Sequence, residues 1–429
     1  MNILNKRPVV SKDIFVKIDN NKVLLIDSER ANWVVVSQPL AEIILTCDGS
    51  KSIDEIINEL NMKCNKELSH KLLSCFDKLY TLNFFYDNDG NIIEQSKTLD
   101  SVYFNLTKNC NLKCIYCYAD AGKNAIKDIK DQSLDFWTKT IDQLFGLNKN
   151  ATINITGGEP TLYKYFWNVV EYAKSRGFKL TLITNGSNSK NEDIQKYVDY
   201  FYSIEVSIDS LREEVNSLTR GKNSLFPAQK FIDTLIEKGM KPTIMVVVSK
   251  YNKRYLYEFY DKYKSSAIIR YQPMYNMGRG EKLISISITG KEYYNILKSQ
   301  NIEMMKGDIS YKRNMKYMWC GMGKNVLSIE ANGNVYPCQL MHHDKFNLGN
   351  LNNQSLEEIW LNSPYQDHSV DLIEECNSCE VKYICSAPCR ARAFYVFGSI
   401  YRKDPLCPDF IKNSIYDNLF DSSFAPLKG

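Results

Sequence analysis

The sequence of 429 residues lacks any long apolar run. Its longest runs, Val23–Ile26 and Ile244–Val248, are the size of a β-strand, whereas a membrane-spanning helix needs about 20 apolar residues. The first segment, Met1–Asp13, mixes polar and charged residues and contains no apolar core of a signal peptide. We therefore expect a cytoplasmic protein that does not enter a membrane.

The sequence also lacks an excess of charge of one sign. Its 54 Lys and Arg residues nearly balance its 50 Asp and Glu residues, for a net charge of +4. This balance gives no electrostatic signature of a nucleic-acid or membrane-surface partner, and we expect neither. Apolar residues make up 44% of the chain and charged residues 24%, as in ordinary globular proteins. At roughly 150 residues per domain, the length predicts about three domains.

Histidine is scarce, with four residues, but cysteine is not, with 13. Ten of the 13 fall within residues 110–117 and 320–407. Because the cytosol is reducing, such clustering indicates metal ligands and not disulfides. The other three, Cys47, Cys64 and Cys75, are predicted to be thiols without function, and Cys47 and Cys75 lie on apolar helix faces.

Residue patterns divide the chain into three blocks. Residues 1–91 carry three β-rich runs and then three helical patterns, which predicts a winged-helix-like domain. The predicted strands are Ile14–Ile18, Lys22–Asp27 and Asn32–Ser37, the third helix is Glu67–Leu82, and Asp87–Lys97 is a linker. Residues 311–415 are rich in cysteine and weakly periodic, so we expect them to fold around metal instead of a large apolar core.

The middle block, residues 99–310, alternates strands with helices. The strand candidates are Val102–Thr107, Thr152–Thr156, Lys179–Thr184, Ser203–Ile208, Pro242–Val248 and Ile268–Gln272. Alternation of this kind indicates a parallel sheet. Six strand–helix units are fewer than the eight of a closed barrel. The predicted fold class is therefore α/β, with a partial (β/α)6 barrel.

Three cysteines follow the first strand of this block with the spacing Cys-x3-Cys-x2-Cys, namely Cys110, Cys114 and Cys117. Three thiolates on one short loop can hold three irons of a cubane and leave the fourth iron open to another ligand. Zinc is the alternative, but a structural zinc site normally takes four protein ligands. No fourth Cys or His lies nearby in the sequence, so the spacing favours an iron–sulfur cluster.

This block resembles the radical S-adenosylmethionine (SAM) superfamily. The resemblance implies a four-iron cluster on the three cysteines, whose open iron binds the amino and carboxylate groups of SAM, and a backbone contact of Tyr116 with the adenine. The second strand is followed by Gly157, Gly158, Glu159 and Pro160, as in that family. The glycines would let the backbone approach SAM closely, and the Glu159 carboxylate would accept hydrogen bonds from the SAM ammonium.

Later strand ends carry positions that resemble further SAM contacts of the family: Thr184, Asn185, Ser207 and Asp209. Active sites of barrels form at the carboxyl ends of strands, but Thr184 and Asn185 could equally be turn residues. Arg220 is a candidate contact for a carboxylate. Arg279 is expected to be a simple loop residue at the rim.

The second cysteine group resembles the SPASM domain. It comprises Cys320, Cys338, Cys376, Cys379, Cys385, Cys389 and Cys407, with Gly333 between the first two. A zinc ribbon is the alternative, although seven cysteines would leave one of two four-ligand sites incomplete. The resemblance implies two auxiliary four-iron clusters, one bound by Cys376, Cys379, Cys385 and Cys407, the other by Cys320, Cys338 and Cys389.

The three-cysteine set lacks a fourth ligand, because no further cysteine lies between Cys320 and Cys338. The hypothesis is that a substrate thiolate or a ligand other than cysteine fills the open position. His342 and His343 are close in sequence but are expected to be exposed loop residues.

The front block resembles, by pattern, the PqqD-like recognition domain of maturases that act on ribosomally made peptides. The resemblance implies that a leader peptide adds a strand at the edge Asn32–Ser37, beside the third helix. The alternative is an ordinary winged helix that binds nothing or binds DNA.

The resemblances together imply a radical SAM enzyme that modifies a ribosomally made precursor peptide and receives electrons from a flavodoxin- or ferredoxin-type donor. The leading expected product is a cysteine-to-carbon thioether, as in sactipeptide or ranthipeptide synthases. A carbon–carbon or ether crosslinking maturase remains open, and the front block argues against a formylglycine maturase of the sulfatase type. A non-catalytic peptide-binding or electron-relay protein is the alternative of another class, but a relay would need no SAM site at Gly157–Pro160.

Overall fold

A computed structural model describes residues 3–61, 66–86, 93–94, 96–122, 130–188, 194–300, 302, 315–316, 319–386 and 388–421. Cys64, most of the predicted linker Asp87–Lys97 and the start of the third block lie outside the described residues. Within these ranges, no helix combines the length and the apolar character needed to cross a bilayer.

The front of the chain forms a three-stranded antiparallel sheet followed by three helices, in the predicted order. The elements are β1 (Ile14–Asp19), β2 (Lys22–Asp27), β3 (Asn32–Ser37), α1 (Gln38–Leu45), α2 (Ile53–Asn61) and α3 (Lys66–Thr81). Helix α2 begins with a capping box, in which the Glu55 amide donates to Ser52 Oγ (3.2 Å) and the Ser52 amide donates to Glu55 Oε2 (2.6 Å). Cys47 and Cys75 are buried in the core of this unit, as predicted.

Strand β3 is an edge strand whose side chains are buried on both faces. Val34 packs among the helices of the front unit, whereas Trp33 packs into a core that includes the C-terminal part of the chain. At the opposite edge, β1 leaves Val16 41% and Ile18 61% exposed. A strand added beside β3 would therefore be held through backbone hydrogen bonds, because the side chains of β3 are already packed.

The middle of the chain forms six parallel strands that pair in chain order, which confirms the predicted partial barrel. The short strand β4 (Ile93–Glu94) precedes β5 (Ser101–Asn105), α4 (Leu134–Leu147), β6 (Thr152–Thr156), α5 (Phe166–Ser175), β7 (Lys179–Thr184), α6 (Ile194–Tyr200), β8 (Ser203–Ser207), α7 (Glu213–Arg220), α8 (Leu225–Glu237), β9 (Thr243–Val248), α9 (Tyr257–Tyr263), β10 (Ile268–Pro273) and α10 (Gly290–Ser299). The strands are rich in Ile, Val and Leu because helices cover their outer face.

The cysteine-rich part of the chain extends this sheet. Its elements are β11 (Met315–Lys316), β12 (Val326–Ile329), β13 (Asn334–Tyr336), β14 (Gly349–Asn350), α11 (Leu356–Leu361), α12 (Lys382–Cys385), α13 (Arg390–Phe397) and α14 (Ile411–Asp421). Strand β12 pairs in parallel with β5, and β13 and β14 follow it antiparallel, so that the sheet has nine strands. Leu327 and Ile329 join the main apolar core. The expectation that this block folds around metal instead of a large apolar core is therefore wrong for its first half.

A second apolar core joins the two ends of the chain. Leu24 and Trp33 from the front sheet pack in one cluster with Leu419 and Phe420 of α14, and the cluster extends to Cys320 and other auxiliary cysteines. The front unit thus packs directly against the cysteine-rich part of the chain.

Candidate active site

The three cysteines of the first motif face one cavity at the carboxyl ends of the parallel strands. Cys110, Cys114 and Cys117 line it together, and its volume is about 300 Å³. Burial raises the pKa of the Cys110 thiol to about 12, so an empty site would keep this group protonated. A bound metal removes such protons, because it stabilises the thiolate.

The two glycines after β6 allow close packing against the backbone of the cysteine loop. A Cβ atom on Gly157 would lie 2.5 Å from the Thr107 carbonyl oxygen, and one on Gly158 would lie 2.2 Å from that of Asn109. The Gly158 amide donates to the Thr107 carbonyl (2.7 Å). Both glycines also line the cavity. They therefore fix the position of the cysteine loop and present only backbone to a ligand.

Glu159 occupies a different place from the one expected. Its side chain is fully buried and does not line the cavity. Its Oε1 accepts hydrogen bonds from the Thr161 hydroxyl (2.6 Å) and the Thr184 hydroxyl (2.8 Å), and its Oε2 accepts from the Asn185 amide (2.9 Å). The carboxylate thus ties the turn to the end of β7, and its contact with a SAM ammonium remains a prediction. Pro160 is also buried behind the wall.

Asp209 likewise supports the wall from behind. It is 1% exposed, and its carboxylate accepts hydrogen bonds from the Tyr116 and Thr219 hydroxyls and from the Val247 amide. Its Oδ1 lies 3.1 Å from Nε of Arg220. Tyr116 and Arg220 both line the cavity, whereas Asp209 does not. Asp209 therefore holds two residues that face the cavity, and its direct contact with SAM remains a prediction.

The remaining predicted positions face the cavity directly. Thr184, Asn185 and Ser207 are among its lining residues. Asn185 Nδ2 lies 3.8 Å from Cys110 Sγ and donates to Asn111 Oδ1 (2.9 Å), which links the end of β7 to the cysteine loop.

Arg279 is a functional position that the sequence analysis missed, because it was expected to be a simple rim residue. Its Nε donates to the Cys114 carbonyl (2.9 Å) and its Nη1 to the Ala121 carbonyl (2.6 Å). A Cβ on the neighbouring Gly278 would lie 2.5 Å from the Cys117 carbonyl oxygen. The signal in the sequence is the pair of glycines around Arg279, which allows this loop to press against the cysteine loop.

The floor of the cavity carries polar residues that the sequence analysis also missed. Glu205 of β8 and Arg270 of β10 form an ion pair (2.9 Å) inside the barrel. Tyr103, Asn154 and Gln272 line the same region from their own strands. Burial raises the pKa of Glu205, and the charge of Arg270 opposes that rise. Each of these residues is an inward position of a strand, so alternation along the strand could have revealed them.

The far wall of the cavity belongs to the cysteine-rich part. Gln339 and Leu340, which directly follow Cys338, line the cavity together with Tyr275. Oε1 of Gln339 is buried and has no hydrogen-bond partner. One cavity therefore extends from the first cysteine motif to an auxiliary cysteine.

Mutual electrostatic effects relate Cys338 to Cys320 and Cys389, and relate Cys407 to Cys376 and Cys379. Burial raises the pKa of Cys338, and the charges of Cys320 and Cys389 raise it further. The pKa of Cys407 is raised to about 11 by burial, with Cys379 and Cys376 as its nearest charged neighbours. Cys385 ends α12 in the same part of the chain. Among the described residues, no three Cys, His, Asp or Glu side chains converge as ligands of a single metal ion.

His342 is largely covered, with its side chain 11% exposed, contrary to the expectation of an exposed loop residue. Its Nε2 lies 2.8 Å from the Ser328 hydroxyl and its Nδ1 lies 3.6 Å from Glu330 Oε1, while its ring stacks on Tyr336. Glu330 pairs with Lys108, which precedes the cysteine motif (2.5 Å). His342 is thus occupied in a network between β12 and the cysteine loop. His343 is exposed, as expected.

Comparison with known families agrees with this geometry. Residues 104–263 match the radical SAM superfamily, and residues 320–380 match SPASM, an iron–sulfur cluster-binding domain. The chain therefore carries a radical SAM domain and, C-terminal to it, a SPASM domain, and the cofactors of these domains are SAM and iron–sulfur clusters. The residues fit these groups, because the three thiols of the motif share a cavity with a glycine-lined backbone and a buried arginine.

Within this class, the similar curated proteins include maturation enzymes. Mycofactocin maturase MftC of Mycolicibacterium smegmatis is 28% identical over 320 residues, which cover 70% of this chain and 81% of the relative. The antilisterial bacteriocin subtilosin biosynthesis protein AlbA of Bacillus subtilis is 24% identical over 386 residues, which cover 83% and 85%.

Solved structures share the fold. Streptococcus suis SuiB bound to the precursor peptide SuiA matches with a TM-score of 0.57 at 16% identity, over 94% of this chain and all of SuiB. The enzyme anSMEcpe with bound AdoMet and the Cp18Cys peptide matches with a TM-score of 0.60 at 18% identity, over 76% of this chain and 98% of that chain.

Proposed function

We propose that this protein modifies a ribosomally made precursor peptide and that its product is a thioether between a cysteine and a carbon of that peptide. The observation that carries the proposal is the single cavity lined both by the first cysteine motif and by the residues that follow Cys338. A peptide in this cavity would lie within reach of both. The relatives MftC and AlbA, whose names describe maturation and bacteriocin biosynthesis, support a peptide substrate.

We assign the cluster that cleaves SAM to Cys110, Cys114 and Cys117, and the two auxiliary clusters to the sets Cys376, Cys379, Cys385, Cys407 and Cys320, Cys338, Cys389. SAM bound to the first cluster supplies a 5′-deoxyadenosyl radical, which takes a hydrogen atom from a carbon of the peptide. The chain positions SAM through the backbone of Gly157 and Gly158, the side chains of Tyr116, Thr184, Asn185 and Ser207, and the guanidinium of Arg220.

The thioether assignment rests on the three-cysteine auxiliary set next to the cavity. A fourth position in that set would be open to the thiolate of a peptide cysteine, beside Gln339 and Leu340. Bond formation between this sulfur and the carbon radical would pass one hydrogen atom to 5′-deoxyadenosine, one proton to solvent and one electron to the auxiliary cluster. The product is therefore lighter than the substrate by two hydrogens.

The front unit would hold the leader of the precursor. Its β3 edge presents backbone groups beside the end of α3, where the Asn32 amide side chain donates to the carbonyls of Leu82 and Asn83 (2.8 and 3.0 Å). The fold match to SuiB covers 94% of this chain, more than the residues after the front unit alone could supply. Electrons for SAM cleavage would come from a flavodoxin- or ferredoxin-type donor.

The test is anaerobic reconstitution with iron and sulfide, followed by SAM and a strong reductant. We expect 5′-deoxyadenosine from the parent protein and none from the Cys110/Cys114/Cys117→Ala triple variant. Cys75→Ala, a buried cysteine of the front unit, is the matched control and should retain activity. If the fully iron-loaded parent forms no 5′-deoxyadenosine, the enzymatic proposal fails.

The product is tested with a cysteine-containing precursor peptide encoded beside the gene. A mass loss of two hydrogens together with resistance of the cysteine to alkylation supports a thioether. The same mass loss with an alkylatable cysteine indicates a carbon–carbon or ether crosslink and contradicts the thioether assignment.

A further inference from the structure

A buried arginine–aspartate pair lies directly behind Cys389. The side chain of Arg392 is 15% exposed and that of Asp404 is 1% exposed. Nη2 of Arg392 lies 2.7 Å from Oδ2 of Asp404, and Nε lies 3.0 Å from Oδ1. A two-pronged contact of this kind fixes the plane of the guanidinium.

Asp404 also connects the loops of the two auxiliary cysteine sets. Its Oδ2 accepts a hydrogen bond from the Cys389 amide (3.1 Å), and its backbone carbonyl accepts one from the Cys407 amide (2.9 Å). Its Oδ1 accepts from the Leu406 amide (3.0 Å). The orientation of Arg392 is therefore tied to both cysteine loops.

The guanidinium of Arg392 reaches from this pair toward the cavity, and the backbone of the same residue contacts the Cys389 thiol. Its backbone amide lies 3.5 Å from Cys389 Sγ, and its Nη1 donates to the Tyr275 hydroxyl (3.1 Å). Tyr275 lines the same cavity as the first cysteine motif. The contact with the Asp404 carboxylate offsets the cost of burying the guanidinium, so the cation persists.

A fixed cation and N–H donors beside a cluster thiolate stabilise the reduced state, which carries one more negative charge. We infer that Arg392, oriented by Asp404, is a positioning residue that raises the reduction potential of the iron–sulfur cluster bound by Cys320, Cys338 and Cys389. This inference rests on the ligand set given in the proposed function. It assigns the arginine an effect on the cluster and not on peptide binding.

The test is a redox titration followed by electron paramagnetic resonance, in the Cys110/Cys114/Cys117→Ala background so that only auxiliary clusters contribute. We expect Arg392→Gln to move the midpoint potential of one cluster to a more negative value. Asp404→Asn, which leaves the cation without its counter-charge, should move it to a more positive value. Arg392→Lys keeps the charge and should stay closest to the parent.

Arg402→Gln is the control, because Arg402 is an exposed arginine of the same region that pairs with Glu375. Opposite shifts from the two charge-changing variants support the inference, since a merely structural role has no reason to give opposite signs. Unchanged potentials, shifts of the same sign, or an equal shift in Arg402→Gln would overturn it. If one of these two variants loses iron, the inference is judged on the direction of the potential shift in the other variant and on the midpoint potential of Arg392→Lys.

The ligand set is checked separately by iron content. If Cys389→Ala retains all its iron and both auxiliary signals, the ligand assignment is wrong, and the inference fails with it. If 5′-deoxyadenosine is absent while the potentials shift as expected, the proposed enzymatic function fails and the effect of Arg392 stands.

Discussion

Glu159 and Asp209 show that a side chain in a family-like motif can act from behind the cavity wall. All of their described contacts are to protein groups: Glu159 binds the end of β7, and Asp209 binds Tyr116, Thr219, Arg220 and Val247. Because a buried carboxylate needs several donors, these residues fix the geometry of the groups around them. These contacts hold in place the residues that face the cavity, such as Tyr116, Arg220 and Thr184.

Asp209→Asn is expected to weaken SAM binding at least tenfold while the clusters remain intact. The amide removes the negative charge that holds the guanidinium of Arg220 and the hydroxyl of Tyr116. The measurement is the SAM concentration dependence of 5′-deoxyadenosine formation, with iron content determined in parallel. Asp199→Asn, an exposed site on α6, should leave both unchanged; a normal KM for SAM in Asp209→Asn would contradict the role of Asp209.

Gly158→Ala is expected to lose most of the iron of the first cluster. The new Cβ would overlap the Asn109 backbone, which cannot move without displacing the cysteine loop. Gly146→Ala in α4 is the matched control, because no atom lies within 4 Å of its Cβ position, and there we expect a gain of about 0.5–1 kcal/mol in helix stability. Iron content and thermal stability are measured for both variants. Full iron loading in Gly158→Ala would refute the packing argument.

At the scale of secondary structure, the sequence predicts long regular elements well and short ones poorly. The six parallel strands appear within one or two residues of their predicted bounds, because apolar residues that pack in the main core recur along each of them. Strands β12, β13 and β14 have only two to four residues each, too few to show a period. Their membership in the main sheet is set by pairing with β5, which is a contact distant in sequence.

Within the candidate active site, the sequence likewise predicts some residues well and misses others. The three cysteines of the first motif are close in sequence and line one cavity. The ligand sets of the auxiliary cysteines remain a prediction from the resemblance. Arg279 donates a hydrogen bond to the Cys114 carbonyl, which is distant in the sequence. His342 forms a hydrogen bond with Ser328, which precedes it by 14 residues. The two glycines beside Arg279 are a local signal in the sequence, whereas His342 carries none, so only the fold reveals the contacts of His342.

The Lys108–Glu330 pair connects the cysteine loop to the region of β12 and predicts a pH dependence. Burial alone would raise the pKa of Glu330, but His342 and Lys108 lower it to about 2. Because the folded pKa is below the usual value, the stabilisation is present at neutral pH and is lost as the pH falls from about 5 toward 2. Its size is on the order of 3 kcal/mol.

Glu330→Gln should therefore be less stable than the parent at pH 7 by that amount, and the difference should fall to less than half at pH 3 and approach zero below pH 2. Urea unfolding of the cluster-free protein at several pH values provides the measurement. Glu59→Gln, which breaks an exposed pair with Lys51, should change stability by less than about 1 kcal/mol. A difference for Glu330→Gln that does not depend on pH would exclude the charge as its cause.

At the scale of the whole molecule, the front sheet is part of the same apolar core as α14 and the auxiliary cysteine loops. Both faces of the sheet are therefore covered, one by its own helices and the other by the C-terminal part. This arrangement connects the proposed leader site to the auxiliary cluster region through packed side chains.

Trp33→Ala is expected to destabilise the protein by about 3–5 kcal/mol, because it removes a fully buried indole from this shared core. Because the core is shared, the front unit and the cysteine-rich part should unfold in one transition. In Trp33→Ala, the auxiliary iron should therefore be released at a lower temperature than in the parent. Ile18→Ala, at a site that is 61% exposed, should have little effect on either. If Trp33→Ala unfolds the front unit alone, with iron release unchanged, the two parts are not coupled.

The shared core also limits how this chain can be recombined with others. Exchanging residues 1–91 for the front unit of a different protein, to redirect the chain to a new leader, would place foreign side chains against Leu419 and Phe420. A working chimera must carry the front sheet and helix α14 as one transplanted unit, even though they lie at opposite ends of the gene. A change of leader preference during evolution would likewise require matching substitutions in the front sheet and in α14, so we expect these two segments to covary.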